Sequence, residues 1–144
     1  LVSSSAASDV YKRQLPETQG RWLEVANGDQ VERVITSVRE TLPSGGTSLY
    51  NAFEFLNELD SEPDNVFIIT DGLPTQGKDT PRKNTVSGPA RLNHYRDAVD
   101  KLPDNVAVNV VLSPMEGDPM AASEFWKLAQ NTGGSFMAPA EDWP

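Results

Sequence analysis

The chain contains no cysteine and a single histidine, His94. Without cysteine it can form no disulfide, no thiol nucleophile and no cysteine-ligated zinc site. One histidine excludes multi-histidine metal centres. The chain also lacks the Gly-x-Ser-x-Gly sequence of many serine hydrolases, so that chemistry has no support. No apolar run approaches the roughly 20 residues that cross a bilayer. What remains is chemistry based on oxygen ligands, or binding through a surface.

Basic residues are also scarce. The 144 residues include 12 Lys and Arg against 21 Asp and Glu, for a net charge of -9. Because nucleic acid binding needs clustered positive charge, we expect no nucleic acid partner, and the apolar pattern predicts no membrane segment. The length is that of one domain that can bury its own core.

The first fourteen residues are unlike the rest. Residues 4–14 read Ser-Ser-Ala-Ala-Ser-Asp-Val-Tyr-Lys-Arg-Gln, which resembles the translation of an adapter used in transposase-based sequencing libraries. We therefore expect residues 1–14 to be an adapter-derived, disordered artefact. We expect residues 15–144 to be the carboxy-terminal part of a single domain whose own amino-terminal part precedes Leu15.

Hydrophobic periodicity in residues 15–144 alternates between strand and helix patterns. Strands are expected at residues 21–25, 66–70, 106–112 and 135–138, those at 66–70 and 106–112 being continuous apolar runs typical of a strand covered on both faces. Between them we expect a helix capped by Asp29, a helix beginning at Thr47 or Ser48, a helix around Leu92–Leu102, and a helix opened by Asp118-Pro119. The fold class is α/β, with a Rossmann-like, open, mostly parallel sheet and helices on both faces.

Two strand-end segments carry candidate ligands. Thr47 follows Gly45-Gly46 at a helix start, and Asp71 directly follows the apolar strand at 66–70. Because ligands of such sheets bind beyond the carboxyl ends of the strands, a hydroxyl and a carboxylate are expected at one edge. Simpler interpretations stay open: Thr47 or Ser48 caps the helix, and Asp71-Gly72 forms a turn.

Residues 43–53 (Pro-Ser-Gly-Gly-Thr-Ser-Leu-Tyr-Asn-Ala-Phe) and 64–75 (Asp-Asn-Val-Phe-Ile-Ile-Thr-Asp-Gly-Leu-Pro-Thr) resemble two metal loops of von Willebrand factor type A domains. The resemblance implies a metal-ion-dependent adhesion site for Mg²⁺, or Ca²⁺ or Mn²⁺, with Thr47 and Asp71 as ligands. It implies supporting roles for Ser44, Gly45, Gly46, Ser48, Thr70 and Gly72, and a partner-contact rim at Lys78, Arg82 and Lys83. The implied function is non-enzymatic binding of a protein ligand through an acidic side chain of that ligand.

The chain departs from this family's pattern because no Asp-x-Ser-x-Ser occurs in it. The resemblance then implies that the first strand, first helix and second strand are missing, so that the 66–70 strand has an exposed apolar edge prone to aggregation. Two ligands cannot fill the near-octahedral shell of Mg²⁺, so weak or no metal binding by this chain is expected.

The expected location of the protein is a bacterial cell envelope. The alternative function is a magnesium-dependent phosphohydrolase with Asp71 as nucleophile, although residues 72–75 lack a second carboxylate. Asp79 and Arg91 are expected to be solvated loop charges.

Overall fold

A computed structural model describes residues 22–25, 28–40, 46–79, 85–113 and 115–139. These ranges contain four helices and three strands, in the order α1 (Gly28–Glu40), α2 (Leu49–Leu56), β1 (Asn65–Thr70), α3 (Gly88–Val99), β2 (Ala107–Leu112), α4 (Ala121–Thr132) and β3 (Phe136–Met137). The expectation for residues 1–14 lies outside the described residues.

The three strands form one small, open, parallel sheet in the order β1-β2-β3. Ile68 of β1 lies opposite Val110 of β2, and Val110 lies opposite Phe136 of β3. Parallel neighbours need a crossover connection, which α3 supplies between β1 and β2 and α4 supplies between β2 and β3. The structure is therefore α/β and compatible with a Rossmann-like fold, as the alternating pattern predicts.

One face of the sheet carries the core. Alternate strand residues point into it and are almost fully buried, namely Ile68, Val108, Val110 and Leu112. The same core contains residues of α2, α3 and α4, and Tyr95 of α3 packs edge-on against Phe125 of α4 at a centroid distance of 5.2 Å. Because successive side chains of a strand point to opposite faces, the inward-facing residues of β1 and β2 form one apolar surface. Helices α2, α3 and α4 pack on this surface.

Within the described ranges the other face of β1 is open, so that the prediction of coverage on both faces is wrong for this strand. Phe67 and Ile69 of β1 are 59% and 63% exposed. Helix α1 contributes no buried residue, so within the described ranges helices pack on one face only. Among the described strands only β2 pairs with β1, which leaves the other edge of β1 without a described strand.

Three local predictions also need correction. Residues 22–25 form no strand, and Trp22 instead donates its indole N–H to the carbonyl of Ser61. Helix α1 begins at Gly28, which places Asp29 inside its first turn rather than at the cap. Helix α4 begins at Ala121 without a side-chain cap, so Asp118 does not cap it. In contrast, Ser48 caps α2, one of the two residues predicted for that position.

Candidate functional site

The segment before α2 is hydrogen-bonded to the loop that follows β1. The carbonyl of Thr47 accepts the backbone N–H groups of Thr75 (3.0 Å) and Gln76 (2.9 Å). In return, the N–H of Thr47 donates to Oγ1 of Thr75 at 3.0 Å. Three bonds thus join segments that are 28 residues apart. We call residues 46–48 and 71–77 together the strand-end edge.

Gly46 allows this junction to close. A Cβ at Gly46 would lie 2.5 Å from Nε2 of Gln76 and 2.7 Å from Oγ1 of Thr75, closer than real Cβ contacts come. Gln76 is buried, and its Oε1 has no hydrogen-bond partner in the part of the chain that the structure describes. A side chain at Gly46 would therefore have to displace Gln76 and Thr75, and the junction holds a buried polar acceptor.

Ser48 performs the capping role that the simpler interpretation of this segment assigned to it. Its hydroxyl accepts the N–H of Asn51 at 3.2 Å and donates to the carbonyl of Gly77 at 2.6 Å. Because both functions of the hydroxyl are used inside the protein, Ser48 supports the strand-end edge structurally. Thr47, one residue earlier and half-buried, is the hydroxyl that the sequence nominated as a ligand.

Asp71 is exposed, yet the backbone on both sides of it is fixed. Its own carbonyl accepts the N–H of Met115 at 3.1 Å. The hydroxyl of Thr70 donates to the carbonyl of Gly72 at 2.9 Å and accepts the Gly72 N–H at 3.3 Å. The buried Thr70 thus closes the turn that contains Gly72. The exposed Asp71 lies at the start of this hydrogen-bonded turn.

A buried ion pair lies directly behind this turn. Nη2 of Arg91 is 2.8 Å from Oδ2 of Asp118, and the two side chains are only 11% and 4% exposed. Oδ2 of Asp118 also accepts the N–H of Leu73 at 2.7 Å. Arg91 donates from Nε to the carbonyl of Leu73 at 3.0 Å and from Nη2 to the same oxygen. We call this arrangement the Leu73 clamp.

The Leu73 clamp was not predicted from the sequence. We expected Asp118 to cap a helix and Arg91 to be a solvated loop charge, whereas both side chains are mostly buried and Arg91 lies in the first turn of α3. One signal was present, since Asp118 lies in the loop after β2 and Asp71 lies in the loop after β1. Carboxyl ends of neighbouring parallel strands meet at one edge of the sheet.

Thr47 and Asp71 suit a hard divalent cation by the chemistry of their oxygens, and their segments are joined at the strand-end edge. The fit is incomplete in number. Among the described residues no group of three or more His, Cys, Asp or Glu side chains could hold a metal ion. Two side-chain oxygens supply only part of the near-octahedral shell of Mg²⁺.

The structure describes only some of the residues that were predicted to form the partner-contact rim and the metal loops. Ser44, Gly45, Arg82 and Lys83 lie outside the described residues. Lys78 is exposed, and its ammonium lies 5.9 Å from the ring centroid of Tyr50 on α2. This cation–π contact directs the charge of Lys78 towards α2.

Comparison with known proteins assigns no family. No protein-family model, no curated protein and no solved structure matches the chain. A membrane-spanning helix, which would have to be both long and apolar, is not found among the described helices.

Proposed function

We propose that this chain is a von Willebrand factor type A-like binding module that contacts a protein ligand through the strand-end edge, with Thr47 and Asp71 contributing to a Mg²⁺ site. The proposal rests on one observation above all. Thr47 and the loop that begins with Asp71 are hydrogen-bonded together at the carboxyl end of a parallel strand. That is where open α/β sheets bind their ligands.

The rigidity of the turn around Asp71 supports a binding role. An exposed carboxylate usually loses side-chain and backbone freedom when it binds, and this loss weakens the interaction. Here the bonds made by Thr70 and Met115 have already fixed the backbone. A cation, or a partner group reaching through a cation, would therefore meet an aspartate whose backbone is already held.

The missing ligands limit the affinity that we propose for this chain. A hydroxyl and a carboxylate leave most coordination positions of the cation to water. The affinity of such a Mg²⁺ site is low, because few protein groups contact the ion. We therefore expect binding of Mg²⁺ or Mn²⁺ with a dissociation constant of roughly a millimolar or weaker.

The phosphohydrolase alternative has less support. The structure brings the carboxylate of Asp118 to the loop after Asp71, but this group is paired with Arg91 and accepts the N–H of Leu73. A carboxylate bound to a guanidinium and a backbone N–H in this way is not free to serve as the second catalytic carboxylate. We therefore propose a binding function without catalysis.

Paramagnetic broadening by Mn²⁺ tests the proposal on the full chain. Amide resonances of the ¹⁵N-labelled protein are followed as Mn²⁺ is added to the wild type, to Asp71→Asn and to the matched control Asp64→Asn. Asp64 is an exposed aspartate just before β1, at the opposite end of the strand, so the control makes the same charge change.

In the wild type we expect broadening that is strongest at residues 46–48 and 71–73 and that declines with distance from them. It should disappear in Asp71→Asn and persist in Asp64→Asn. Broadening spread over the acidic surface, or unchanged by Asp71→Asn, would show that the strand-end edge is not the cation site. Submicromolar binding would instead show that the chain holds a complete coordination shell.

A further inference from the structure

We propose that Arg91 and Asp118 are positioning residues, whose ion pair holds the backbone of Leu73 and thereby sets the orientation in which Asp71 is presented. The cation-binding part of this inference rests on the proposed function. The positioning of the loop itself does not.

The Leu73 clamp grips both backbone polar groups of one residue. Asp118 accepts the N–H of Leu73, and the guanidinium of Arg91 donates twice to the carbonyl of Leu73. The two side chains also bind each other at 2.8 Å. Charge-assisted bonds of this kind are shorter and stronger than neutral ones, and the planar guanidinium fixes direction as well as distance.

Gly72 shows how tightly the chain passes the clamp. A Cβ on Gly72 would lie 2.6 Å from Oδ2 of Asp118 and 2.8 Å from Nη2 of Arg91. The backbone immediately after Asp71 therefore lies against the charged atoms themselves. Any displacement of the ion pair must move this backbone, and Asp71 is the next residue along it.

Three structural elements converge on this point. Arg91 comes from the first turn of α3, Asp118 from the loop between β2 and α4, and Leu73 from the loop after β1. Because the carbonyl of Asp71 also accepts the N–H of Met115 in the loop after β2, the two strand-end loops are joined at two places. The clamp thus couples the presentation of Asp71 to the packing of α3.

A purely electrostatic role makes different predictions. Arg91→Met would leave the negative charge of Asp118 uncompensated near Asp71 and strengthen cation binding. Asp118→Ala would leave the positive charge of Arg91 and weaken it. Positioning predicts that both variants weaken binding, because both release the backbone of Leu73.

The experiment compares Arg91→Lys, Arg91→Met and Asp118→Ala with the wild type, using Mn²⁺ broadening at the amides of residues 71–73 and hydrogen exchange of the Leu73 amide without metal. Arg91→Lys keeps the charge but cannot make the double contact with the Leu73 carbonyl. The control is Tyr95→Phe, which removes a buried hydroxyl that donates to the carbonyl of Glu124 and lowers stability away from the clamp.

We expect the paramagnetic rates at residues 71–73 to fall about tenfold or more in all three clamp variants, as for other residues that orient a metal ligand. Leu73 amide exchange should accelerate about tenfold or more in each of them, because its acceptor is displaced. Tyr95→Phe should lower the unfolding midpoint and leave both readings unchanged. Stronger broadening in Arg91→Met, or an equal loss in Tyr95→Phe, would overturn the proposal.

If the wild type shows no localised broadening, the proposed cation site is refuted. Hydrogen exchange of the Leu73 amide in the clamp variants then tests the positioning role by itself. Unchanged exchange in all three clamp variants would then refute the positioning role as well.

Discussion

Oδ2 of Asp118 accepts the backbone N–H of Leu73 at 2.7 Å, so that a residue 45 positions further along the chain fixes the loop after Asp71. The bond links the two strand-end loops of β1 and β2. Both loops are irregular, and irregular backbone is normally the most mobile part of a fold. Here it is held by a buried charge pair, so the strand-end edge is a rigid part of the protein.

Gly72→Ala should destabilise the protein, because the added Cβ would meet both charged atoms of the clamp. Overpacking of this kind costs about 1–3 kcal/mol. Urea unfolding of Gly72→Ala beside Gly88→Ala measures the effect. A Cβ at Gly88 would meet nothing within 4 Å beyond its own helix, so that control should be neutral or stabilising by up to about 1 kcal/mol. Equal stabilities for the two variants would contradict close packing at Gly72.

Ser48→Ala should cost more stability than Ser87→Ala, although both serines cap helices. Ser48 is buried and also donates to the carbonyl of Gly77, whereas the cap bond of the exposed Ser87 is long at 3.4 Å. We expect a loss of about 2 kcal/mol at Ser48 and about 0.5–1 kcal/mol at Ser87. Chemical denaturation gives both values, and an equal or reversed order would show that the Gly77 bond contributes nothing.

Phe67→Lys should reduce self-association without lowering stability. Phe67 and Ile69 are exposed on a strand that carries no charge or proline, and such a strand invites pairing between molecules. A lysine on this open face adds repulsion at little cost to the fold. Light scattering and thermal unfolding check both parts. The control Ile68→Lys, on the buried face, should unfold the protein, and a comparable loss in Phe67→Lys would mean that the open face is in fact covered.

Tyr95 should make the protein sensitive to alkaline pH. Burial, and to a smaller extent the nearby Glu124 carboxylate, raise the pKa of Tyr95 well above its usual value of about 10. The unfolded chain therefore loses this proton at lower pH than the folded chain, so the stability contribution is complete below about pH 10 and falls as pH rises further.

Tyr95→Phe tests the assignment, because it removes the titrating group and keeps the ring that packs on Phe125. The free energy of unfolding, measured from about pH 8 to pH 11, should decline less steeply above about pH 10 in the variant than in the wild type. Parallel curves would place the alkaline loss on other groups.

The α/β class was predictable from the sequence because apolar runs and helical spacing alternate, and local periodicity reports which residues face a core. The positions of β1 and β2 and the cap at Ser48 follow from such local signals. The open face of β1 was not predictable in this way. The continuous apolar run at 66–70 shows that a strand can be covered on both faces, but the side chains of Phe67 and Ile69 find no covering layer in the described part of the chain.

Candidate site residues could be predicted only where they lie in a recognisable loop. Thr47 and Asp71 could be nominated because each follows a clear turn or strand signal. The partnership of Arg91 with Asp118 joins residues from two different elements, and no local pattern encodes it. Asp118-Pro119 even carries a strong helix-start signal, yet a buried arginine and the Leu73 N–H offer its carboxylate better partners than a helix cap.

The central claim is that Thr47 and Asp71 face one cation. The most direct measurement is Mn²⁺ broadening in Thr47→Val, which replaces the hydroxyl by a methyl group of similar size. If the two residues share an ion, broadening at the amides of residues 71–73 should fall sharply, although the substitution lies 24 residues away from Asp71 along the chain. Broadening at residues 71–73 that stays at the wild-type level in Thr47→Val would contradict the account, because Asp71 would then bind the ion without Thr47.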